Sequence, residues 1–339
     1  MAEFDEMLVL IKEHCTAEQI KGVLRGATGN KDVKVSASSK EDLVEANLRD
    51  AFRSHSIDIE RLRDLLREAE ENGPQHIFYL RTPARDVAQQ LTLEHVRMAL
   101  LGARASHSPT YKLKKDGFVV ADVRQWGRRK PLDWAAKFYG HETREEATGE
   151  IIIDGPNRIL RVYERKEYRY VLMARWNAPD LLELRVPRDS SLQRVDAWRH
   201  YLEQQLRPAV PFDRFRSWDL RAVSKKLFDN EANYKRVYRL GDAKLEDPHH
   251  NMVTFESYSP DGDLFAAAAT QSAMKGLLEN EAKHKQQRIL WHAQADQGIE
   301  TEISTLIGTR TENEVTFSRH QNSQGIDYVT GQLRAFSKR

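Results

Sequence analysis

Apolar and polar positions alternate with a period of two across residues 151–188, the densest strand signal in the chain. Leu160 and Val162 alternate with Arg161, Tyr163 and Arg165; Tyr170, Leu172, Ala174 and Trp176 alternate with Arg169, Val171, Met173 and Arg175; Leu182, Leu184 and Val186 alternate with Glu183 and Arg185. That period predicts a half-buried antiparallel meander. Turn residues interrupt it at Asp154-Gly155-Pro156-Asn157 and Asn177-Ala178-Pro179-Asp180. One face is expected to enter the core while the other exposes Arg161, Arg165, Arg169, Arg175 and Arg185.

Before the meander the spacing is helical. Helices are predicted over 3–12, 16–25, 38–52 and 57–71, the second capped by Thr16 and the third opened by Ser38 with Glu41 at capping-box spacing. Leu43, Ala46 and Leu48 form the apolar stripe of the third helix. Asn72-Gly73-Pro74 stops the fourth. A strand over 75–80, a helix over 92–102, a strand over 118–123 and a helix-like segment around 132–139 then lead into the meander. Beyond it, the pattern predicts helices over 190–206, 219–229, 265–286 and 326–336, with strands over 234–240, 251–258, 288–293, 300–308 and 314–319. Pro208 to Pro211 reads as a domain boundary. The expected fold is α+β: a helical cap over 1–102, a central antiparallel sheet domain over 103–211 and a C-terminal sheet-and-helix domain over 212–339.

Composition narrows the class. At 339 residues, 40% hydrophobic and 31% charged, the chain has room for real cores and is too apolar for disorder. The N-terminus carries acids where a signal peptide needs bases, and no apolar run approaches a membrane span. A cytoplasmic location follows as an expectation, nuclear if the source is eukaryotic, with no membrane partner. Cys15 is the only cysteine, which excludes an intramolecular disulfide and a cysteine-rich zinc site.

The net charge of +2 conceals an asymmetry: residues 1–72 hold 11 Lys and Arg against 16 Asp and Glu, a net of −5, so the remainder carries +7. The sharpest basic block lies within 102–130, where Arg104, Lys112, Lys114, Lys115, Arg124, Arg128, Arg129 and Lys130 face only Asp116 and Asp122. Tyr111, Phe118 and Trp126 are interleaved with it. Bases neutralise phosphates and release counterions, and neighbouring aromatics can stack on unpaired bases. Together with the arginines of the meander, the block points to DNA through backbone contacts, without catalysis. A protein partner or a homo-oligomer fits the same surfaces.

The helical hairpin over 16–52 is similar to the SAP family of small DNA-binding modules. Thr16-Ala17-Glu18-Gln19-Ile20-Lys21-Gly22-Val23-Leu24 matches its first helix, and Ser39-Lys40-Glu41-Asp42-Leu43-Val44 with Leu48 matches its second; the loop between them is longer than the family's. More of the chain resembles the layout of the centromere protein N family, DNA- and histone-binding kinetochore proteins: a helical cap with the Lys40-Glu41-Asp42-Leu43-Val44 helix, a Gln75-His76-Ile77-Phe78-Tyr79-Leu80 segment, then mixed sheet. A part in prokaryotic defence or in a chromosome-associated complex would suit such a binder.

Two other chemistries compete. Asp154, Glu164 and Lys166 have the spacing of PD-(D/E)xK nucleases, in which carboxylates hold magnesium and the lysine orients the attacking water. Glu164 and Lys166 fall on one strand face, yet cross-strand ion pairing produces the same pattern. Magnesium is the one cofactor implied, and only under this reading. Asp247, His249, His250 and His292 read as polar loop residues, since adjacent histidines on an extended chain point apart. The third class is a docking adaptor whose basic surface meets an acidic protein.

Overall fold

The structure is a computed structural model that describes residues 2–27, 33–82, 84–102, 118–127, 132–153, 158–189, 191–229, 236–257 and 262–338. In chain order, helices α1 (Ala2–His14), α2 (Ala17–Gly26), α3 (Lys40–Asp42), a π-wound segment Leu43–Leu48, α4 (Arg49–Arg53) and α5 (Ile59–Glu71) precede strand β1 (Gln75–Arg81). Helices α6 (Arg85–Gln90) and α7 (Leu93–Leu101) are followed by β2 (Val119–Gln125), β3 (Trp134–Ile153), β4 (Ile159–Asn177), β5 (Leu181–Pro187), α8 (Leu192–Leu206) and the short β6 (Arg216–Ser217). Then come α9 (Leu220–Asp229), β7 (Tyr238–Glu246), β8 (Met252–Phe255), α10 (Ala268–Glu279), β9 (Lys283–Trp291), β10 (Ile303–Ile307), β11 (Glu314–Phe317) and α11 (Ser323–Lys338). The fold is α+β, with N-terminal helices and antiparallel sheet.

These elements fall into two compact units, Met1–Tyr79 with Ser217–Arg339, and Leu80–Arg216. They cut across the boundaries expected at 102 and 211. The reason is a pairing no local pattern records: β1 runs antiparallel to β11, Gln75 opposite Phe317 and Phe78 opposite Glu314, which ties the end of the helical cap to the end of the chain.

In the first unit the antiparallel order is β1-β11-β10-β9-β7-β8. Helices α9 and α11 pack together, and α9 also contacts β9 and β10. The N-terminal helices share a core of their own. Leu62, Leu65, Leu66 and Ala69 of α5 are buried at i, i+3, i+4 and i+7, and Asp58 caps the helix by accepting from the Arg61 amide. Phe4 and Phe52 stack at 4.0 Å. The third helix starts one residue later than its pattern implies: Ser39 accepts from the Asp42 amide at 3.0 Å, while the Ser38 hydroxyl hydrogen-bonds the Asp42 carboxylate.

In the second unit β2, β3, β4 and β5 form an antiparallel meander in that order. The helix expected around 132–139 is instead the start of β3. Trp134, Ala135, Ala136, Lys137, Phe138 and Tyr139 are all buried there, so the segment lacks the alternation that marks a half-exposed strand. Helix α8 covers one face: Tyr170 stacks on Trp198 at 4.7 Å, and Phe118 on Tyr201 at 3.6 Å. Gly140 makes room for this layer, since a Cβ there would lie 2.5 Å from the Tyr170 ring and 2.7 Å from Phe118. In the first unit the helix expected over 265–286 is shorter. Glu281, at φ 65°, ends the turn after α10, and residues from Lys283 onward pair with β7 and β10 as β9.

Candidate nucleic-acid interface

The period of two sorts the meander into an apolar and a polar face, and the strand register lines the polar residues up in rows. Arg124, Ala135, Arg175 and Glu183 form one row; Asp122, Lys137, Met173 and Arg185 form the next; His141 lies opposite Arg169. Arg185 donates from Nε and Nη2 to Glu183 Oε2 at 2.9 and 2.5 Å, and Arg175 Nη1 stands 3.8 Å from Glu183 Oε1. Arg124 Nη1 reaches Asp122 Oδ2 at 2.5 Å. Two aromatic rings organise the cations. The guanidinium carbons of Arg175, Arg124 and Arg185 lie 4.7, 5.4 and 5.5 Å from the Trp126 ring centroid. Arg169 lies 3.8 Å and the Lys137 ammonium 5.3 Å from that of Tyr139.

This face is covered, which corrects the expectation of an exposed arginine surface. Arg175 is 1% exposed, Arg185 2% and Arg169 8%, with Lys137 and Glu183 equally enclosed. A guanidinium out of water needs a carboxylate or a ring beside it. Glu183, Asp122, Trp126 and Tyr139 fill that role here. Trp126 and Tyr139 are the rings on which these cations gather, a role that their place in the sequence, Trp126 as one aromatic in a basic block, does not reveal.

Of the other proposed phosphate contacts, Arg161 and Arg165 are exposed on the distal part of β4, Arg165 Nε standing 3.3 Å from Glu145 Oε1. Arg124 is half-buried. Lys112, Lys114, Lys115, Arg128, Arg129 and Lys130 lie outside the described residues.

The nuclease candidates occupy the same distal stretch, on the opposite face. Lys166 Nζ lies 2.6 Å from Glu164 Oε1 and 3.3 Å from Glu146 Oε2, and the Tyr168 hydroxyl hydrogen-bonds Glu146. The hydrogen bond to Glu164 raises the Lys166 ammonium above its ordinary value, while those from Tyr168 and Lys166 lower the Glu146 carboxyl. This is the cross-strand ion pairing weighed against catalysis. Asp154 lies outside the described residues, and among them no cluster of three or more His, Cys, Asp or Glu could hold a metal ion.

On the N-terminal hairpin, Thr16 makes the reciprocal capping box with Gln19, and Ile20, Leu24, Val44 and Leu48 are buried. Lys21 of the hairpin pairs with Glu18 at 2.8 Å, and Lys12 of α1 reaches Glu41 on the hairpin. In the loop after β7, Asp247 accepts from the amides of His249 and Asn251, and His250 Nδ1 meets Glu246 at 2.6 Å, as befits a polar turn. No helix among the described residues is long and apolar enough to cross a membrane. No family model matches this chain, and no curated protein matches it.

Proposed function

We propose that this chain is a non-enzymatic DNA-binding protein that contacts mainly the phosphate backbone. The observation that carries the reading is the placement of β2. It is the edge strand of the meander, and the sequence joins Lys112, Lys114 and Lys115 just before it and Arg128, Arg129 and Lys130 just after it. Seven extended residues separate the two points of attachment by about 20 Å, the axial rise of about six nucleotides of one strand. The two ends of β2 thus stand at a spacing that matches one stretch of duplex, and the sequence continues from each into a basic cluster. Arg161 and Arg165 add exposed charge to the same unit. Arg175 and Arg185 enter this reading as supports that hold Trp126, next to the second cluster, and not as phosphate contacts.

The test is the salt dependence of duplex binding. Log K is expected to fall by roughly 0.9 per phosphate neutralised for each tenfold rise in salt, and Lys114→Ala with Lys115→Ala should reduce the slope by up to about two for every duplex sequence alike. A double variant with the parent slope and affinity removes this block from the interface. Magnesium-dependent cleavage that is lost in Glu164→Gln would move the protein to the nuclease class instead.

A second reading, a docking adaptor, is favoured by one specific observation. Ile151, Ile153, Ile159 and Leu160 at the far end of the β3–β4 hairpin are between 43% and 77% exposed, an aliphatic cluster that water does not favour.

A further inference from the structure

We infer that a cleft of the first unit, formed by β7, β9, the turn after β10 and the start of α9, binds a phosphoryl dianion. The cleft measures about 440 Å³, and four of its lining side chains are cations: Arg221, Lys244, Lys285 and Arg310. Glu246 is the one carboxylate in the lining. The volume lies in the lower range for small-ligand sites, enough for a phosphate and a few attached atoms.

The cations are held in place by groups behind them. Arg310 is aimed by Glu314, which is fully buried and accepts from its Nε, its Nη2 and its backbone amide at 3.3, 3.3 and 3.1 Å. Glu314 is oriented in turn by His76 Nδ1 at 2.6 Å, and the Phe78 ring lies 5.4 Å from the Arg310 guanidinium. Burial pushes the Glu314 carboxyl upward, but His76 and Arg310 outweigh it and hold it below its ordinary value, so the anchor stays charged. Gly308 brings the turn against β9: its φ is 72°, and a Cβ there would sit 2.6 Å from the Lys285 carbonyl oxygen.

Charge complementarity selects the ligand. Glu246 is engaged by Lys285 and His250, and Glu314 by Arg310. Among the described residues Arg221 has only the distant Glu312 carboxylate at 3.9 Å, and Lys244 has no acidic partner. Two positive charges thus remain weakly answered, the complement of a dianion. The cations come from four separate elements, which suits a tetrahedral group with three accepting oxygens better than a planar carboxylate. A phosphodiester presents one charge at a time along an open groove and matches less well.

The inference is independent of the DNA-binding reading. The full chain is titrated calorimetrically with inorganic phosphate and with O-phosphoserine, against chloride at matched ionic strength. Saturable one-site binding of either is expected; a preference for O-phosphoserine identifies a phosphorylated side chain as the source, and a preference for phosphate the free ion. Lys244→Ala, at an exposed site, should weaken binding about tenfold. Glu246→Gln, which removes the carboxylate already in the cleft, should tighten it several-fold. No saturable binding above the chloride control, or equal binding in both variants, overturns the site. So does a Lys244→Ala variant that loses duplex affinity while phosphate fails to bind, since the cleft is then part of a polyanion surface.

Discussion

The two halves of the β3–β4 hairpin are paired along the same two strands, yet one is interior and the other surface. At the root, over 134–139 and 171–177, the strands are flanked by β2 and β5, and Trp134, Phe138, Leu172 and Trp176 are buried. Farther out, over 147–153 and 159–165, the two strands pair only with each other among the described residues, and their side chains are mostly exposed. A β-ladder satisfies backbone polar groups wherever two strands meet, but burial needs neighbours beyond the pair. The same arginine therefore has two meanings. Arg165 at 3.3 Å from Glu145 is a screened surface pair, while Arg175 and Arg185 around Glu183 are charges that must be matched.

The sharpest way to break this comparison is to truncate one apolar residue in each half. Trp134→Ala should destabilise by about 3–5 kcal/mol, because it empties a buried site and orphans the Leu91 carbonyl that Trp134 Nε1 meets at 2.9 Å. Ile153→Ala, on a side chain 77% exposed, should stay within about 0.5 kcal/mol. Urea midpoints of the two variants measure the contrast, and equal losses would place the distal half in a core.

Charge deletion asks the same question of the polar face. Glu183→Ala leaves Arg175 and Arg185 without their shared carboxylate and should cost about 3 kcal/mol, little affected by salt. Glu145→Ala at the exposed Arg165 pair should cost at most about 0.5 kcal/mol. Denaturant curves at low and high salt check both.

A smaller effect separates Tyr170 from the ordinary tyrosine. Burial, then the nearby Glu142 carboxylate, pushes its phenol from 10.0 up to about 12. Because the folded value is raised, the stability it contributes is complete below pH 10.0 and is lost as pH rises toward about 12. Discounted for the partial exposure of the ring, the loss is about 1–2 kcal/mol. Tyr170→Phe should flatten the alkaline side of the stability profile and remove one late-ionising phenol from an ultraviolet titration. An unchanged profile would show that the α8 layer does not shield this hydroxyl.

The smallest effect on stability has the largest on solution behaviour. Ile151→Ser with Ile153→Ser should leave the melting temperature within about 2 °C while reducing binding of a hydrophobic dye. Unchanged dye binding would locate the reporting surface elsewhere.

Much of the fold is legible along the chain. Thr16, Asp58 and Ser191 accept from amides at their helix starts, and the Leu62, Leu65, Leu66 and Ala69 stripe faces inward. Strands β4 and β5 run where the alternation places them. Three features are not legible, each for a physical reason. Trp134 to Tyr139 is buried on both faces, so its period vanishes. The pairing of Gln75 with Phe317 joins residues more than half the chain apart, so no window contains it. And Arg169, Arg175 and Arg185 carry the same letters as Arg161 and Arg165, though only the latter two meet water.

Capping, turn chemistry and alternation act within a few residues, so the sequence alone determined the helix starts at Thr16 and Ser191, the run of β4 and β5, and which of their residues share a face. Whether a face meets solvent depends on what long-range pairing brings over it. Only the tertiary structure decided that Glu183, Trp126 and Tyr139 enclose the arginines of the meander, and that Arg310, Lys285, Lys244 and Arg221, drawn from four distant stretches, converge on one cleft.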